Sequence, residues 1–407
     1  MNFLTIAVDD LNAFATFKAL YPGTLHTPNI DRLMAEGVTF QNAFAQVALC
    51  NPSRASILTG QYPSETGVHG NSQLWTDYVD VAETLPAIMK AQGYQTGIFG
   101  KIFHSPLDWL PEDHQQMLCD AFARSGDYLV VDSEADIDMA GGMVQYGPLD
   151  IEDSEHGDYI NTQSAIDYLA SVSPTQPFNV FVGIFRPHAN WMVPQEYFDL
   201  YPIESIQLPT HLPGDRLDMP AYVQEVINSS QAVKVREAEQ WEEALQAYFA
   251  SVSFADAMVG RMLDAVEASG HADDTAIVLW SDHGYHLGDK DIWHKFTLWE
   301  EAGRAPLIFK LPGGPHAGEV VTQPVELVDI APTMLDLAGL PRAESFSGTS
   351  LVPFLENTGH TSGLAATTTM FGSTSIRTDT MRYIRYRDGS EELYDCSPSA
   401  HMSQIEG

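Results

Sequence analysis

The 407-residue chain is long enough to bury a large core, either as one domain or as a large domain plus a small one. Its 20 Lys and Arg residues oppose 55 Asp and Glu residues, which gives a formal net charge of −35 at pH 7. Such a surface repels nucleic-acid phosphates and anionic membranes, so we expect neither as a partner.

The predicted elements alternate between short buried strands and helices. In chain order they are a strand at Phe3–Val8, a helix from Pro28 to Gly37, strands at Thr96–Phe99 and Asn179–Phe185, a long helix from about Ala238 to Ala268, strands at Thr275–Trp280 and Pro306–Leu311, and a helix after Pro324 that stops at Gly339. This alternation is typical of an α/β protein, with a mostly parallel sheet that has helices on both faces.

Two segments differ in character from the rest of the chain. Residues 132–158 are acidic and contain glycine, which indicates a solvated insertion. The last sixty or so residues alternate as in TMRYIRYRDGSEELYD, and Asp388–Gly389 has the composition of a hairpin turn. We therefore predict a catalytic α/β domain at 1–340 and a small C-terminal subdomain with an antiparallel sheet at 341–407.

The sequence contains neither a membrane span nor a recognisable secretory leader. No apolar stretch approaches the roughly 20 residues that cross a bilayer, and the opening MNFLTIAVDD reads directly as a strand. A leader that has already been removed is the alternative. The three cysteines, Cys50, Cys119 and Cys396, do not form an even disulfide framework. We therefore predict a cytoplasmic protein.

Acidic residues follow two of the predicted strands. Asp9 and Asp10 come directly after the first strand, and Asp282–His283 ends the strand that starts at Thr275. The carboxyl ends of parallel strands are where open α/β sheets bind ligands. Adjacent carboxylates repel each other unless a cation offsets their charge, so these residues predict a metal site. The alternatives are exposed turns, a helix cap at Asp282 and a core histidine at His283.

The segment Cys50-Asn51-Pro52-Ser53-Arg54 is the most specific motif in the chain. Pro52 suits the first turn of a helix, which would put Cys50 at the helix N-terminus, where anions are favoured. Arg54 would then direct its planar guanidinium towards an oxyanion. An unmodified Cys50 at such a position could act as a thiolate nucleophile.

Cys-x-Pro-Ser-Arg followed by a helix of small residues and Thr59-Gly60 resembles the signature of type I sulfatases. The resemblance covers most of the chain and includes Val8-Asp9-Asp10, Thr27 to Asp31, Phe40 to Phe44, Gly100-Lys101, Ser281 to Gly284, and Glu392 to Asp395. Three details are closest to the iduronate-2-sulfatase-like branch, namely Gly100-Lys101-Ile102-Phe103-His104, Arg186-Pro187-His188, and His283 directly after Asp282. The resemblance implies an alkaline-phosphatase-like α/β fold with a smaller C-terminal sheet subdomain.

The resemblance also implies a chemistry. A separate formylglycine-generating enzyme would oxidise Cys50 to formylglycine, whose hydrate attacks sulfur with one hydroxyl and expels sulfate with the other. Asp9, Asp10, Asp282 and His283 resemble the metal ligands of the family, with modified Cys50 adding an oxygen. Calcium fits this set, and His283 leaves manganese or magnesium as alternatives. The implied reaction is hydrolysis of a small anionic sulfate ester of a sugar, alkyl or aryl alcohol.

The remaining roles are carried over by position in the motifs. Arg54 and Lys101 would stabilise the formylglycine and the sulfate charge. His104 is the candidate base, and His188 and Lys295 would serve the leaving group. Taken singly, these histidines and lysines would more often be structural or solvated. Trp75 and Trp191 are candidate pocket walls for a sugar or cationic group, with ordinary core tryptophans as the alternative.

Three competing functions remain at this point, and one of them, a transferase that moves sulfate between alcohols, would need an acceptor site that the sequence does not reveal. A formylglycine enzyme that hydrolyses phosphonate monoesters or phosphodiesters would share Cys50 and the metal ligands. A binding protein on a decayed scaffold would not need the full set of candidate residues that this chain retains.

Overall fold

An eight-stranded sheet crosses the computed structural model, which describes residues 1–125, 136–139, 142–209, 214–228, 240–363 and 365–397. The strands are β1 (Asn2–Val8), β2 (Val38–Phe40), β3 (Ala43–Phe44), β4 (Gln95–Gly100), β5 (Ala121–Ala123), β6 (Asp136–Met139), β7 (Gly142–Leu149), β8 (Phe178–Ile184), β9 (Trp191–Pro194), β10 (Thr275–Ser281), β11 (Arg304–Ala305), β12 (Leu307–Lys310), β13 (Val320–Val321), β14 (Val325–Glu326), β15 (Ala366–Met370), β16 (Ser373–Arg377), β17 (Met381–Arg385) and β18 (Glu391–Asp395). The α-helices in these residues are α1 (Pro28–Glu36), α2 (Cys50–Thr59), α3 (Pro63–Thr66), α4 (Leu85–Ala91), α5 (Glu112–Leu118), α6 (Gly157–Ser171), α7 (Gln195–Asp199), α8 (Ala221–Asn228), α9 (Trp241–Ser269), α10 (Glu300–Gly303), α11 (Ile330–Ala338) and α12 (Val352–Glu356).

The large sheet has the strand order β13-β2-β12-β10-β1-β8-β4-β5. The central strand β1 pairs in parallel with β10 and β8, and every residue of these three strands is buried. A strand that has both faces covered by helices has a nearly continuous apolar sequence. These three strands could therefore be predicted from the sequence. Only β12 runs antiparallel to its neighbours β10 and β2 within this described sheet. The prediction of a mostly parallel sheet is confirmed.

The predicted helices are present, with one altered start. α1 begins at Pro28 and ends before Gly37, as predicted. α9 begins at Trp241, and the first part of its predicted range, at 238–239, lies outside the described residues. The predicted start just after Pro324 is wrong because β14 pairs there with β3, and α11 begins only at Ile330. Among the described residues, no helix is long and apolar enough to cross a membrane.

The prediction of a solvated insertion at 132–158 is wrong at Tyr146, Leu149 and residues 156–158, which are buried, while 132–135 and 140–141 lie outside the described residues. β7 pairs in parallel with β9, and Tyr146 and Leu149 join the hydrophobic core. Asp158 is buried because its carboxylate accepts the backbone N–H groups of Phe185 and Arg186, at 2.7 and 3.0 Å. The acidic composition of this segment therefore did not reveal that part of it packs against the α/β body.

A four-stranded antiparallel sheet in the order β15-β16-β17-β18 follows the α/β body and confirms the predicted C-terminal sheet. Asp388 and Gly389 lie in the turn between β17 and β18, as the composition predicted. Buried Glu300 ties this sheet to the body, since its carboxylate accepts from Arg377 and Arg382, each at 2.7 Å, and pairs with Arg304. The division of the chain at residue 340 stays a prediction.

Replacing Glu300 with glutamine is expected to lower the free energy of unfolding by about 3–5 kcal/mol, because it leaves buried arginines without a charged partner. Burial alone would raise the pKa of Glu300, but Arg304, Arg382 and Arg377 hold that pKa well below its ordinary value. The stabilisation is therefore full at neutral pH and is lost progressively as the pH falls below the unfolded pKa of about 4.3. Urea unfolding at pH 7 measures the effect. As a control, Glu319→Gln removes an exposed partner of His316 and should change the midpoint little. Equal midpoints for Glu300→Gln and the parent protein would refute the prediction.

Candidate active site

The ends of β1 and β10 bring the predicted acidic residues together. Asp9, Asp10 and Asp282 are buried, and one carboxylate oxygen from each lies within 4.8 Å of the others. The backbone N–H of Asp10 points at Asp282 Oδ1, 3.3 Å away. Asp10 has a left-handed backbone (φ 58°), which Asp tolerates better than most residues and which is often found at functional sites. The hydroxyl of Tyr248 holds this turn by donating to the carbonyl oxygen of Asp10 at 2.8 Å.

Cys50 is the first residue of α2, as the motif predicted. The helix is buried over its whole length and ends at Gly60, whose φ of 61° suits glycine. Ser53 fixes the helix against β10 by donating its hydroxyl to the carbonyl oxygen of Asp282. The Cys50 side chain therefore points into the cluster of carboxylates from a rigid element.

The guanidinium of Arg54 binds two of the buried carboxylates of the site. Its Nη2 lies 3.0 Å from Asp9 Oδ1 and its Nε lies 2.9 Å from Asp282 Oδ2. Its Nη1 donates to the carbonyl oxygens of Lys101 and Ile102. Two carboxylates and two carbonyls bind the guanidinium in this way, and its expected role towards the formylglycine and the sulfate charge stays a prediction. Arg54 thereby fixes the spacing of Asp9 and Asp282.

Lys101 reaches the site because β4 ends very close to β8. A Cβ on Gly100 would collide with the carbonyl oxygen of Gly183, and a Cβ on Gly183 would collide with the backbone of Lys101. Glycine at both positions lets Lys101 turn its ammonium onto Asp9, with which it forms a buried ion pair. Asp9 therefore has two cationic partners, Lys101 and Arg54.

Two histidines approach from separate loops. His188 follows β8; its Nδ1 lies 2.8 Å from the carbonyl oxygen of Ala189, so its Nε2 is left to face Asp10 Oδ2 at 4.0 Å. His188 remains one-third exposed, so it borders the open side of the site. His104 lies near enough to Cys50 to help lower the pKa of its thiol, and its Nδ1 has no hydrogen-bond partner among the described residues.

Lys295 and His283 complete the surroundings of Cys50. Lys295 Nζ lies 3.1 Å from Cys50 Sγ and 2.6 Å from Asp10 Oδ1. His283 Nε2 lies 3.5 Å from the same sulfur and 3.3 Å from Asp10 Oδ1. All ten predicted site residues therefore meet in one cluster at the carboxyl end of the sheet.

The charges of this cluster favour an anion at the position of Cys50. Burial alone would raise the pKa of the Cys50 thiol, but Lys295 and Lys101 hold it well below its ordinary value. Burial, together with the nearby carboxylate of Asp9, raises the pKa of Asp282 to about 7. The ion pair with Arg54 opposes this shift but does not cancel it. The pKa of Asp9 is shifted in the opposite direction. Burial opposes the ionisation of Asp9, but Lys101 and Arg54 lower its pKa.

The donor set fits a hard divalent cation. Three buried carboxylates supply oxygens within 4.8 Å of one another, and His283 Nε2 lies beside two of them. Oxygen-rich sites with several carboxylates suit Ca²⁺ and Mg²⁺, and an added imidazole is compatible with Mn²⁺. A cation there would also offset the repulsion between adjacent carboxylates.

The two candidate pocket tryptophans lie elsewhere. Trp75 is 1% exposed and stacks on Phe103, with 4.4 Å between ring centroids. Trp191 is equally buried and donates its indole N–H to the carbonyl oxygen of Pro187 at 2.9 Å. Both are core residues, so their candidacy as pocket walls is corrected.

Arg124 is a contributor that the sequence reasoning missed. Its Nη1 donates to the carbonyl oxygens of Phe103 and His104, at 3.3 and 3.2 Å. Its guanidinium lies over the ring of Phe185, 4.9 Å from the centroid. Arg124 therefore supports the backbone of the loop that carries His104. The available signal was a basic residue just after a strand in a chain with few basic residues.

Together the sheet and the site define a hydrolase of the alkaline-phosphatase superfamily. Residues 1–340 match the family model described as Sulfatase, and residues 288–399 match the one described as N-sulphoglucosamine sulphohydrolase, C-terminal. The chain therefore belongs to the sulfatase family and is a sulfuric ester hydrolase. Membership implies, in general, formylglycine and a divalent cation.

Named relatives agree with this assignment. A sulfatase of Formosa agariphila is 36% identical over 97% of this chain and 80% of its own length. Iduronate 2-sulfatase of Homo sapiens is 32% identical over 84% of this chain and 69% of its own length. A solved structure of a protein in complex with its substrate D-glucosamine-2-N,6-O-disulfate has a TM-score of 0.74 at 26% identity, covering 97% of this chain and 90% of that one. A phosphonate monoester hydrolase from Silicibacter pomeroyi has a TM-score of 0.79 at 22% identity over 99% and 90%, which shows a shared fold.

Proposed function

We propose that this sulfatase uses formylglycine made from Cys50 by a formylglycine-generating enzyme, and that Asp9, Asp10, Asp282 and His283 bind one Ca²⁺ beside it. The observation that carries this proposal is the convergence of Lys295 and His283 on Cys50 Sγ, at 3.1 and 3.5 Å, next to three buried carboxylates. The formylglycine hydrate supplies two hydroxyls on one carbon, which a serine does not. A cation held by these residues would polarise the ester and lower the pKa of the attacking hydroxyl.

The residues of the chain divide the remaining work. Lys101 places its ammonium group on Asp9, where it stabilises the sulfate charge. Arg54 holds Asp9 and Asp282 at their spacing. His104 helps to lower the pKa of the thiol of residue 50 and is the base that removes a proton there.

His188 and Lys295 serve the departing alcohol in this proposal. Burial and Lys101 oppose protonation of His188, but Asp10 and Asp9 raise its pKa above the ordinary value. Its Nε2 faces the site from the exposed side, where the alcohol must leave. A protonated imidazole at this position can donate to the leaving oxygen.

His188→Ala is expected to slow hydrolysis of esters with poor leaving groups by about 10²–10⁴-fold, and to slow esters with good leaving groups much less. The reason is that an acidic phenol departs without a proton, whereas an alkyl alcohol needs one. The measurement is kcat/KM across a series of aryl and alkyl sulfates of graded leaving-group pKa. Equal losses across the series would remove His188 from this role.

The preference for sulfate over phosphorus esters is tested on one shared leaving group. We expect kcat/KM for an aryl sulfate to exceed that for the matching aryl phosphodiester and phosphonate monoester. A reversed preference would favour the alternative, a phosphonate monoester or phosphodiester hydrolase.

We also propose a cytoplasmic location, which the free state of Cys50, Cys119 and Cys396 supports.

A further inference from the structure

Lys295 is placed in the site by a loop. It lies between the end of β10 at Ser281 and the start of α10 at Glu300. Its Nζ is nevertheless held at two atoms of the site, 3.1 Å from Cys50 Sγ and 2.6 Å from Asp10 Oδ1. An ammonium on a flexible four-carbon side chain can stay between two such partners only if its backbone is fixed. The contacts that fix this loop therefore bear on the site.

His286 binds the loop on both sides of Lys295. The backbone N–H of His286 donates to the carbonyl oxygen of His294 at 3.0 Å. Its ring Nε2 lies 2.7 Å from the hydroxyl oxygen of Thr297, and both of these side chains are buried. These are ordinary hydrogen-bond distances. His286 thus holds the residue directly before Lys295 and the second residue after it.

The ring of His286 is itself held in place. Its Nδ1 lies 2.5 Å from Asp289 Oδ2, and the ring of Trp299 packs against it at 88°, with 6.1 Å between the centroids. Burial opposes protonation of His286, but Asp289 and Glu301 raise its pKa above the ordinary value. The charged ring donates from both nitrogens, and the neutral ring can accept from Thr297 instead, since a hydroxyl donates as well as accepts. The bond between His286 and Thr297 therefore exists in both protonation states.

The residue that follows Lys295 has an unfavourable backbone conformation. Phe296 has a φ of 74°, a region in which a bulky residue is an outlier. Such a conformation persists only where the surrounding contacts impose it, and it is concentrated at functional sites. The backbone N–H of Phe296 donates to the carbonyl oxygen of Ala48 at 3.3 Å, and the two bonds of His286 lie on either side of this residue. The conformation of the loop therefore depends on these few contacts.

We propose that His286 and Thr297 are positioning residues, which hold the ammonium of Lys295 between Cys50 and Asp10. This inference rests on the proposed function, in which Lys295 serves the departing alcohol. The hydrogen bonds of His286 and Thr297 in the described structure stay within the loop, so these residues act through Lys295. A displacement of about 1 Å in a reacting group can lower a rate about a hundredfold.

Thr297→Val removes the hydroxyl that His286 binds and keeps the shape of the side chain. We expect kcat/KM for an alkyl sulfate to fall about tenfold to a hundredfold, through kcat, because a displaced ammonium no longer meets the leaving oxygen. An aryl sulfate with a good leaving group should lose much less. Thr297→Ser keeps the hydroxyl and should recover most of the lost rate. Thr275→Val is the matched control, since this buried hydroxyl lies at the start of β10, away from the site, and has no partner among the described residues.

Combining Thr297→Val with Lys295→Ala tests whether Thr297 acts through Lys295. The double variant should be no slower than Lys295→Ala alone, because the ammonium to be positioned is gone. Losses that add in full, or a Thr297→Val enzyme with parent rates on alkyl sulfates, would overturn the positioning role and leave the proposed function intact. Full parent turnover in Lys295→Ala would instead refute the leaving-group role of Lys295 in the proposed function.

A second pair of variants decides the question if Thr297→Val does not fold. The side-chain amide nitrogen of glutamine reaches about as far as ring Nε2, and that of asparagine about as far as ring Nδ1. His286→Gln should therefore keep the bond to Thr297 and most of the activity on alkyl sulfates. His286→Asn should keep only the bond to Asp289 and lose that activity. Equal rates on alkyl sulfates in these two variants would contradict the positioning role.

Discussion

Cys50→Ala is expected to lower kcat for sulfate-ester hydrolysis at least about a thousandfold, the scale on which enzymes lose activity when the nucleophile is removed. Alanine cannot be converted to formylglycine, so the site keeps its charges but lacks the attacking group. The fold should survive, because the hydrogen bonds of the Cys50 side chain in the described structure go to Lys295 and His283, which belong to the site. The measurement is kcat on an aryl sulfate, together with the melting temperature.

Cys119→Ala is the matched control for this experiment. Cys119 is also a free, buried cysteine, but it lies outside the site at the end of α5. Its replacement should leave kcat unchanged. Near-normal turnover by Cys50→Ala, with expression and melting equal to the parent protein, would refute the mechanism.

Asp282→Asn is expected to give the second largest loss, at least about a hundredfold in kcat, with a matching loss of bound metal. Asn is nearly isosteric with Asp but is neutral, so the site loses one of three buried carboxylates. The hydrogen bond from Ser53 to the backbone of residue 282 does not depend on the side chain and should hold the fold. Elemental analysis of the purified protein measures calcium per chain alongside kcat.

A comparison with Asp336→Asn separates the site from general charge effects. Asp336 pairs with Arg342 near the surface, so its replacement should change neither metal content nor turnover. Full metal content together with near-normal kcat in Asp282→Asn would remove Asp282 from the ligand set.

Much of the fold follows from local sequence pattern. β1, β8 and β10 are buried on both faces, so their sequences are almost continuously apolar and stand out without any knowledge of their partners. The site follows from the same logic, because Asp9, Asp10 and Asp282 come directly after such strands. The motif that starts at Cys50 then supplied the chemistry.

Features that depend on distant contacts could not be predicted in this way. The orientation of Arg54 depends on Asp9 and Asp282, which are 45 and 228 residues away in the chain. Tryptophan is a residue type common in ligand pockets, but Trp191 lies in the core, because Trp293 and Tyr248 pack against it. The burial of Asp158 likewise depends on backbone amides that follow β8. Residue type alone carries no information about such partners.

The central claim is that Cys50 becomes the nucleophile as formylglycine, and mass spectrometry tests it most directly. The protein is co-expressed with a formylglycine-generating enzyme, and the tryptic peptide that contains Cys50 is analysed together with the intact chain. The account predicts a peptide mass that matches the aldehyde or its hydrate, in an enzyme that hydrolyses sulfate esters. An unmodified Cys50 thiol in a fully active enzyme would contradict it.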